Sequence, residues 1–267
     1  MTDLLIFTDL DGTLMEHETY SMQAASEALA ELNSRRIVPI LNSSKTQQEM
    51  LAIQQRLGID GPYICENGAA LFNVSCCGPK KQGKVFGTPL SHWLNRVHQL
   101  RDQMKVRFEG FSDWTGTEIA SLTGLNKDQA ELSRQRQFSE PILWKDTAAR
   151  FDEFCEALKA IDLQLTKGGR FVSIQGHFDK STAMHWLRKE IAGSDAITVA
   201  LGDSPNDYAM LNAADIAVII KSAKSDQIEL NKPQYIIRSQ WPGPAGWQEA
   251  IMEILSRMDS GKLTLAR

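Results

Sequence analysis

Short apolar runs alternate with segments of helical period at both ends of this 267-residue chain, and no other feature constrains its fold as strongly. Leu4–Phe7 reads as a buried strand bounded by turn residues. Met22, Ala25, Leu29 and Leu32 follow at helical spacing, with Ser21 placed to cap that helix. Ile37–Leu41 is the next strand expected, with an irregularity at Pro39, whose nitrogen cannot donate to a ladder. Met50, Ile53 and Leu57 mark a second helix ending near Gly58. Tyr63–Cys65 forms a third strand that turns at Glu66-Asn67-Gly68. The rhythm resumes near the C-terminus. Met184, Leu187 and Ile191 share a helix, Thr198–Leu201 is a strand, a helix covers Asp207–Ala213, and Ile216–Ile220 is another strand. Residues 241–247, WPGPAGW, read as a loop before a last helix from Trp247 to about Met258. Strand–helix–strand repeats of this kind predict an α/β fold, a Rossmann-like three-layer core around a parallel sheet.

The middle of the chain differs. Residues 83–178 carry Trp93, Trp114 and Trp144, a helix with Phe151, Phe154, Leu158 and Ile161 in register, and strand-like stretches near 136–144 and 170–176. This segment reads as a smaller α+β module inserted into a core made of residues 1–82 and 179–267, a division the chain is long enough to support. Trp114 and Trp144 are expected in its interior. The formal net charge of −4 gives no electrostatic reason for a nucleic-acid or anionic-membrane partner. No apolar stretch approaches the length of a membrane span and no leader pattern opens the sequence, so a cytoplasmic protein is expected. The four cysteines, Cys65, Cys76, Cys77 and Cys155, lack metal-site spacing and read as reduced thiols.

Ligands of parallel α/β sheets bind beyond the carboxyl ends of the strands. Four polar clusters fall at such ends: Asp9-Leu-Asp11-Gly-Thr, Asn42-Ser43-Ser44-Lys45, Asp179-Lys180 ahead of a helix, and Gly202-Asp203-Ser204-Pro205-Asn206-Asp207. Two carboxylates as close as Asp9 and Asp11 repel each other, so they either splay into water as a turn or hold a cation. Each cluster alone also suits a plain turn or helix cap, and Ser43 or Ser44 would serve as such a cap.

In this order, however, the four clusters resemble the signature motifs of the haloacid dehalogenase superfamily of phosphatases, and the long insert resembles that superfamily's C2-type cap. Ser43-Ser44-Lys45-Thr46, Glu66-Asn67-Gly68-Ala69 and Gly202-Asp-Ser-Pro-Asn-Asp-Tyr-Ala-Met-Leu211 are most similar to the mannosyl-3-phosphoglycerate phosphatase family. Ser181 stands where relatives commonly carry glycine. The resemblance implies an Mg²⁺-dependent phosphomonoester hydrolase with a small phosphorylated sugar or glycerate as its partner. It further implies Asp9 as nucleophile and Asp11 as acid and base. Mg²⁺ would be held by Asp9, the Asp11 carbonyl and Asp203, with Asn206 and Asp207 in support, and Ser43 and Lys180 would bind the phosphoryl oxygens. Substrate selection is expected from Ser44, Lys45, Glu66, Asn67 and Arg170, the arginine as partner for an acidic group. The same chemistry serves phosphomutases of the superfamily, and a non-catalytic sugar-phosphate binder is a further alternative.

Overall fold

The computed structural model describes residues 4–74, 83–168, 170–192 and 196–263. The first third contributes strands β1 (Leu4–Thr8), β2 (Ile40–Asn42), β3 (Tyr63–Cys65), β4 (Ala70–Phe72) and β5 (Lys84–Val85). The middle contributes β6 (Phe108–Gly110), β7 (Ser139–Trp144), β8 (Gln164–Lys167) and β9 (Val172–Gln175). The last third contributes β10 (Ile197–Gly202), β11 (Ile216–Lys221) and β12 (Tyr235–Pro242). The helices, in chain order, are α1 (Ser26–Ser34), α2 (Gln47–Leu57), α3 (Leu94–Met104), α4 (Gly116–Thr123), α5 (Lys127–Arg134), α6 (Ala148–Lys159), α7 (Lys180–Leu187), α8 (Tyr208–Ala213) and α9 (Gly243–Asp259).

The large sheet runs in the order β12-β11-β10-β1-β2-β3-β4-β5. It is parallel from β12 to β3, and β4 and β5 return antiparallel. Successive residues of a strand face opposite sides, so each buried strand feeds two cores. Ile6, Val199, Leu201 and Val218 pack with α1, α2 and α9 on one face. Phe7, Ala200, Ala217 and Ile219 pack with α7 and α8 on the other. The outcome is helix, sheet, helix. Trp247 of α9 is fully buried and its indole Nε1 donates to Thr8 Oγ1 at 3.0 Å, tying the last helix to the first strand. Trp247→Ala is expected to cost about 3–5 kcal/mol. Urea unfolding checks this, and a loss under about 1 kcal/mol would contradict the role.

The middle residues form a separate antiparallel sheet, β6-β7-β9-β8. Helices α3 and α6 cover one face through Val97, Phe154 and Leu158, and Trp144 stacks there on Phe108. Trp114 belongs to a small cluster with Phe111 and Ile119. Strand β5 pairs with β4, so the large sheet continues past position 82 before the small one begins.

Several local expectations change. The first helix begins only at Ser26, after a single tighter turn over Gln23–Ala25, and Ser21 Oγ accepts from Gln23 N instead of capping α1. Strand β2 starts at Ile40, directly after Pro39, because a strand in the middle of a sheet needs the donor that proline lacks. Thr46, not Ser43 or Ser44, caps α2: its Oγ1 accepts from Glu49 N at 3.2 Å and Glu49 returns the bond to Thr46 N at 2.8 Å. Gly58 closes that helix in the left-handed conformation at φ 63°. Strand β7 begins at Ser139 because the N–H groups of Gln137 and Phe138 turn to Glu66. Met184 and Leu187 are buried in α7, which widens into a π-type turn over Arg188–Ala192. WPGPAGW is not a loop. Edge strand β12 runs through Pro242, and α9 starts at Gly243 with Pro244 in its first turn, where a missing N–H costs nothing. Cys65 is a buried free thiol and Cys155 a half-buried one, while Cys76 and Cys77 lie outside the described residues. Among the described residues no helix is long and apolar enough to cross a membrane.

Candidate active site

The carboxyl ends of the central parallel strands converge. Asp9 continues β1, its N–H bonded to the Leu201 carbonyl of β10 at 2.9 Å. Asn42 ends β2, and its Nδ2 donates at 2.8 Å to the carbonyl of Lys180, pinning the start of α7 to the sheet. Asp179 caps α7 by accepting from Ser181 N at 2.8 Å and Ser181 Oγ at 2.6 Å, so Ser181 itself serves the cap. The Glu66-Asn67-Gly68 turn has positive φ at all three residues: 47°, 59° and 101°. At Gly68 a Cβ would overlap the Asp179 backbone, so glycine lets this turn approach α7 and press Lys180 inward.

Lys180 is 1% exposed, and its Nζ donates to Asp9 Oδ1 at 2.5 Å and Asp207 Oδ1 at 2.6 Å. Asp207 Oδ2 accepts from the N–H groups of Asp203 and Ser204 at 3.1 and 3.2 Å, which orients the loop after β10. Asp9, Asp203 and Asp207 each present a carboxylate oxygen within 4.8 Å of the others, a buried set that could hold a metal ion. With all three carboxylates ionised, the one ammonium leaves two negative charges, the charge a divalent cation neutralises. Burial pushes Asp9 up to about 8; Lys180 opposes the shift, while Asp207, Asp203 and Asp11 add to it. Burial disfavours the Lys180 ammonium, but Asp207 and Asp9 outweigh it and hold its pKa above the ordinary lysine value.

Asp11 stands apart from this set. Its Oδ2 pairs with Lys45 Nζ at 2.9 Å, and its buried Oδ1 has no hydrogen-bond partner. Lys45 also lies 3.9 Å from Glu49 and 5.4 Å over the Tyr20 ring. Desolvation works against its charge, but the two carboxylates prevail and its pKa is raised.

Above these groups opens a cleft of about 170 Å³ that is partly open to solvent. Asp9, Asp11, Ser44, Asn67 and Asn206 line it from the large sheet. The small sheet supplies Pro141, Thr166, Lys167, Arg170, Phe171 and Ser173. Of the residues expected to contact substrate, Ser44, Asn67 and Arg170 line the cleft. Lys45 and Glu66 do not, because their own partners occupy them. Lys45 is held by Asp11, and Glu66 accepts from Gln137 N, Phe138 N and Ser139 Oγ at 2.8, 3.0 and 2.7 Å, joining the small sheet to the large. Ser43 is buried beside the cleft, and Asp203 is buried below it. Asp207, expected behind the metal, offers an oxygen to the same set as Asp9 and Asp203.

Sequence reasoning missed His17, Phe111, Arg136, Lys167, Phe171 and Ser204, all of which line the cleft. Lys167 and Phe171 flank Arg170 and were within reach of the same argument. His17 sits 3.5 Å from Asp203 Oδ2, and that hydrogen bond raises its pKa despite partial burial. Nothing in the local sequence points to His17 or Arg136.

A mainly parallel sheet with helices on both faces, bearing a buried acidic set at its strand ends beneath a second sheet, defines an α/β protein with a candidate metal-binding site. The chain is a member of the haloacid dehalogenase-like hydrolases, whose family pattern matches residues 6–88 and 97–237. It is 35% identical over 271 aligned positions to the glucosyl-3-phosphoglycerate/mannosyl-3-phosphoglycerate phosphatase of Persephonella marina, covering 97% of this chain and 99% of that protein. In fold it resembles a haloacid dehalogenase-like hydrolase from Bacteroides thetaiotaomicron, with TM-score 0.67, 17% identity, and 94% and 99% of the two chains covered. The sucrose-phosphatase of Synechocystis, solved with sucrose and phosphate, matches at TM-score 0.60 and 19% identity, with 95% and 98% covered.

Proposed function

We propose that this chain is a phosphomonoester hydrolase of glycosyl-3-phosphoglycerates, either mannosyl- or glucosyl-, working with Mg²⁺ through a phosphorylated aspartate. The observation that carries this is the near full-length similarity to the Persephonella enzyme, joined to an acidic set facing a cleft that also holds arginines. The segment between β5 and α7 acts as the cap over a core made of the large sheet and its helices. The cytoplasm, where thiols such as Cys65 stay reduced, is its compartment.

An all-oxygen set with two uncompensated negative charges suits a hard divalent cation, with Asp9, Asp203 and Asp207 as the side chains available to it. When bound, Mg²⁺ supplies neutralisation of the phosphoryl oxygens facing those carboxylates. Lys180 engages Asp9 Oδ1, which leaves Oδ2 to attack phosphorus. The ester oxygen departs with its bonding pair and takes a proton from Asp11. In the second step Asp11 removes a proton from water, whose oxygen attacks the phosphorylated Asp9 and releases inorganic phosphate. Ser43 and Lys180 hold the phosphoryl oxygens, and Asn206 supports the loop that carries Asp203. Lys45 keeps Asp11 in place. Ser44, Asn67 and Arg170 contact the rest of the substrate.

A phosphate-release screen with Mg²⁺ over neutral sugar phosphates and both glycosyl-3-phosphoglycerates tests this reading. The glycosyl-phosphoglycerates are expected to lead in kcat/KM by about 100-fold, or about 3 kcal/mol of differential transition-state binding. A neutral sugar phosphate in first place would overturn the assignment. Chelation should leave about one percent of activity or less, restored by added Mg²⁺. Asp11→Asn is expected to lower kcat by about 10²–10⁴-fold for alkyl phosphates and much less for aryl phosphates, whose leaving groups need no proton. A uniform loss across both would remove Asp11 from the acid role.

A further inference from the structure

Arg136 stands between α5 and β7 and reaches back to the large sheet. Its Nη1 donates to the Ser44 carbonyl at 3.1 Å and to Ser139 Oγ at 3.0 Å, so one corner of the guanidinium bridges the two sheets. The guanidinium carbon lies 5.1 Å from the Phe111 ring centroid, which fixes the tilt of its plane. The rest of the group lacks partners. Nε is buried without an acceptor, and the hydrogen bonds of this guanidinium among the described residues run from Nη1. The neighbouring carboxylates are engaged elsewhere. Glu140 accepts from Ser112 N and Oγ at 2.8 and 2.6 Å, and Glu66 is taken by the β7 entry. A buried N–H without an acceptor calls for one, and Arg136 lines the same cleft as Asp9.

The Nε–Nη2 edge of a guanidinium is a planar fork that matches a carboxylate with two parallel hydrogen bonds. We infer that Arg136 is a specificity residue whose guanidinium, unpaired at Nε, binds the carboxylate of a phosphorylated hydroxy acid, while the phosphate lies over Asp9. This inference rests on the proposed phosphoglycerate reading and names the side chain that recognises the acid. Because Nη1 is already fastened to Ser44, a bound carboxylate completes a bridge from substrate through the cap side to the core. Arg170 and Lys167 are exposed and differ in this respect: neither is held in one orientation by such a bridge.

The test compares 3-phosphoglycerate with glycerol 3-phosphate, which replaces the carboxylate by a hydroxymethyl group. Binding is measured by calorimetry on the full-length, Mg²⁺-loaded Asp9→Asn protein, in which turnover is blocked. That parent is expected to bind 3-phosphoglycerate about tenfold or more tightly than glycerol 3-phosphate, the scale of a charge-assisted bidentate pair. Adding Arg136→Ala should collapse the ratio to within about twofold, and Arg136→Lys, which keeps the charge but loses the fork, should fall between. A parent without preference, an unchanged ratio in Arg136→Ala, or equal weakening of both ligands overturns the inference. The last result would mark Arg136 as a structural bridge only. Should Arg136→Ala fail to fold, the lysine variant decides by the same ratio. The substrate reading fails separately. If wild-type enzyme ignores glycosyl-3-phosphoglycerates yet the ratio depends on Arg136, the carboxylate site stands and the named substrate falls.

Discussion

Asp9→Asn is expected to lower hydrolysis by on the order of 10⁴-fold or more, because the group that would bond to phosphorus loses its charge and its nucleophilicity. The fold should survive. Asparagine matches aspartate in shape, and its Oδ1 can still accept from Lys180, which holds Asp9 Oδ1 at 2.5 Å. The buried set falls from two uncompensated negative charges to one, so Mg²⁺ affinity should weaken while binding persists. Initial rates, melting temperature and metal titration measured together separate these effects. More than a few percent of residual activity, in a sample free of wild-type protein, would assign the nucleophile elsewhere.

Lys180→Met is the second large effect. Methionine keeps most of the buried length but no charge, leaving Asp9 and Asp207 without the ammonium they share at 2.5 and 2.6 Å. Removing one member of a buried ion network costs about 3–5 kcal/mol, since the remaining charges stay desolvated and unpaired. Activity should drop by about 10²–10³-fold, the usual cost of losing one preorganised electrostatic contact to the transferring group. Mg²⁺ would offset part of the repulsion, so added Mg²⁺ should raise the melting temperature of the variant more than that of the wild type. A variant as stable and as active as the parent would show that Lys180 serves neither purpose.

The strand ends were legible because each is a local pattern. The apolar Leu4–Phe7 run leads directly into Asp9 and Asp11, and Thr198–Leu201 leads into Asp203, so both the strand and its polar exit are written in adjacent residues. Helix starts were harder to place. Ser21, Ser43 and Ser44 have the chemistry of caps, yet Thr46 alone among them and itself has the reciprocal Glu49 that closes a capping box. WPGPAGW misleads for a similar reason: proline and glycine mark an abrupt change of direction, and here the change is from edge strand to helix with no residues between. Lys45 and Glu66 carry the right charge for a ligand, but pairing with Asp11 and with the backbone at the start of β7 keeps both from the cleft.

Periodicity and contiguous motifs thus determine by themselves the α/β class and the acidic residues at the strand ends, because those depend on neighbours a few positions apart. Tertiary structure alone decides who meets whom across the cleft. Arg136 reaches Ser44, 92 positions away in the chain, and His17 comes to rest against Asp203, and contacts of that range follow from how two sheets pack, for which no local pattern codes.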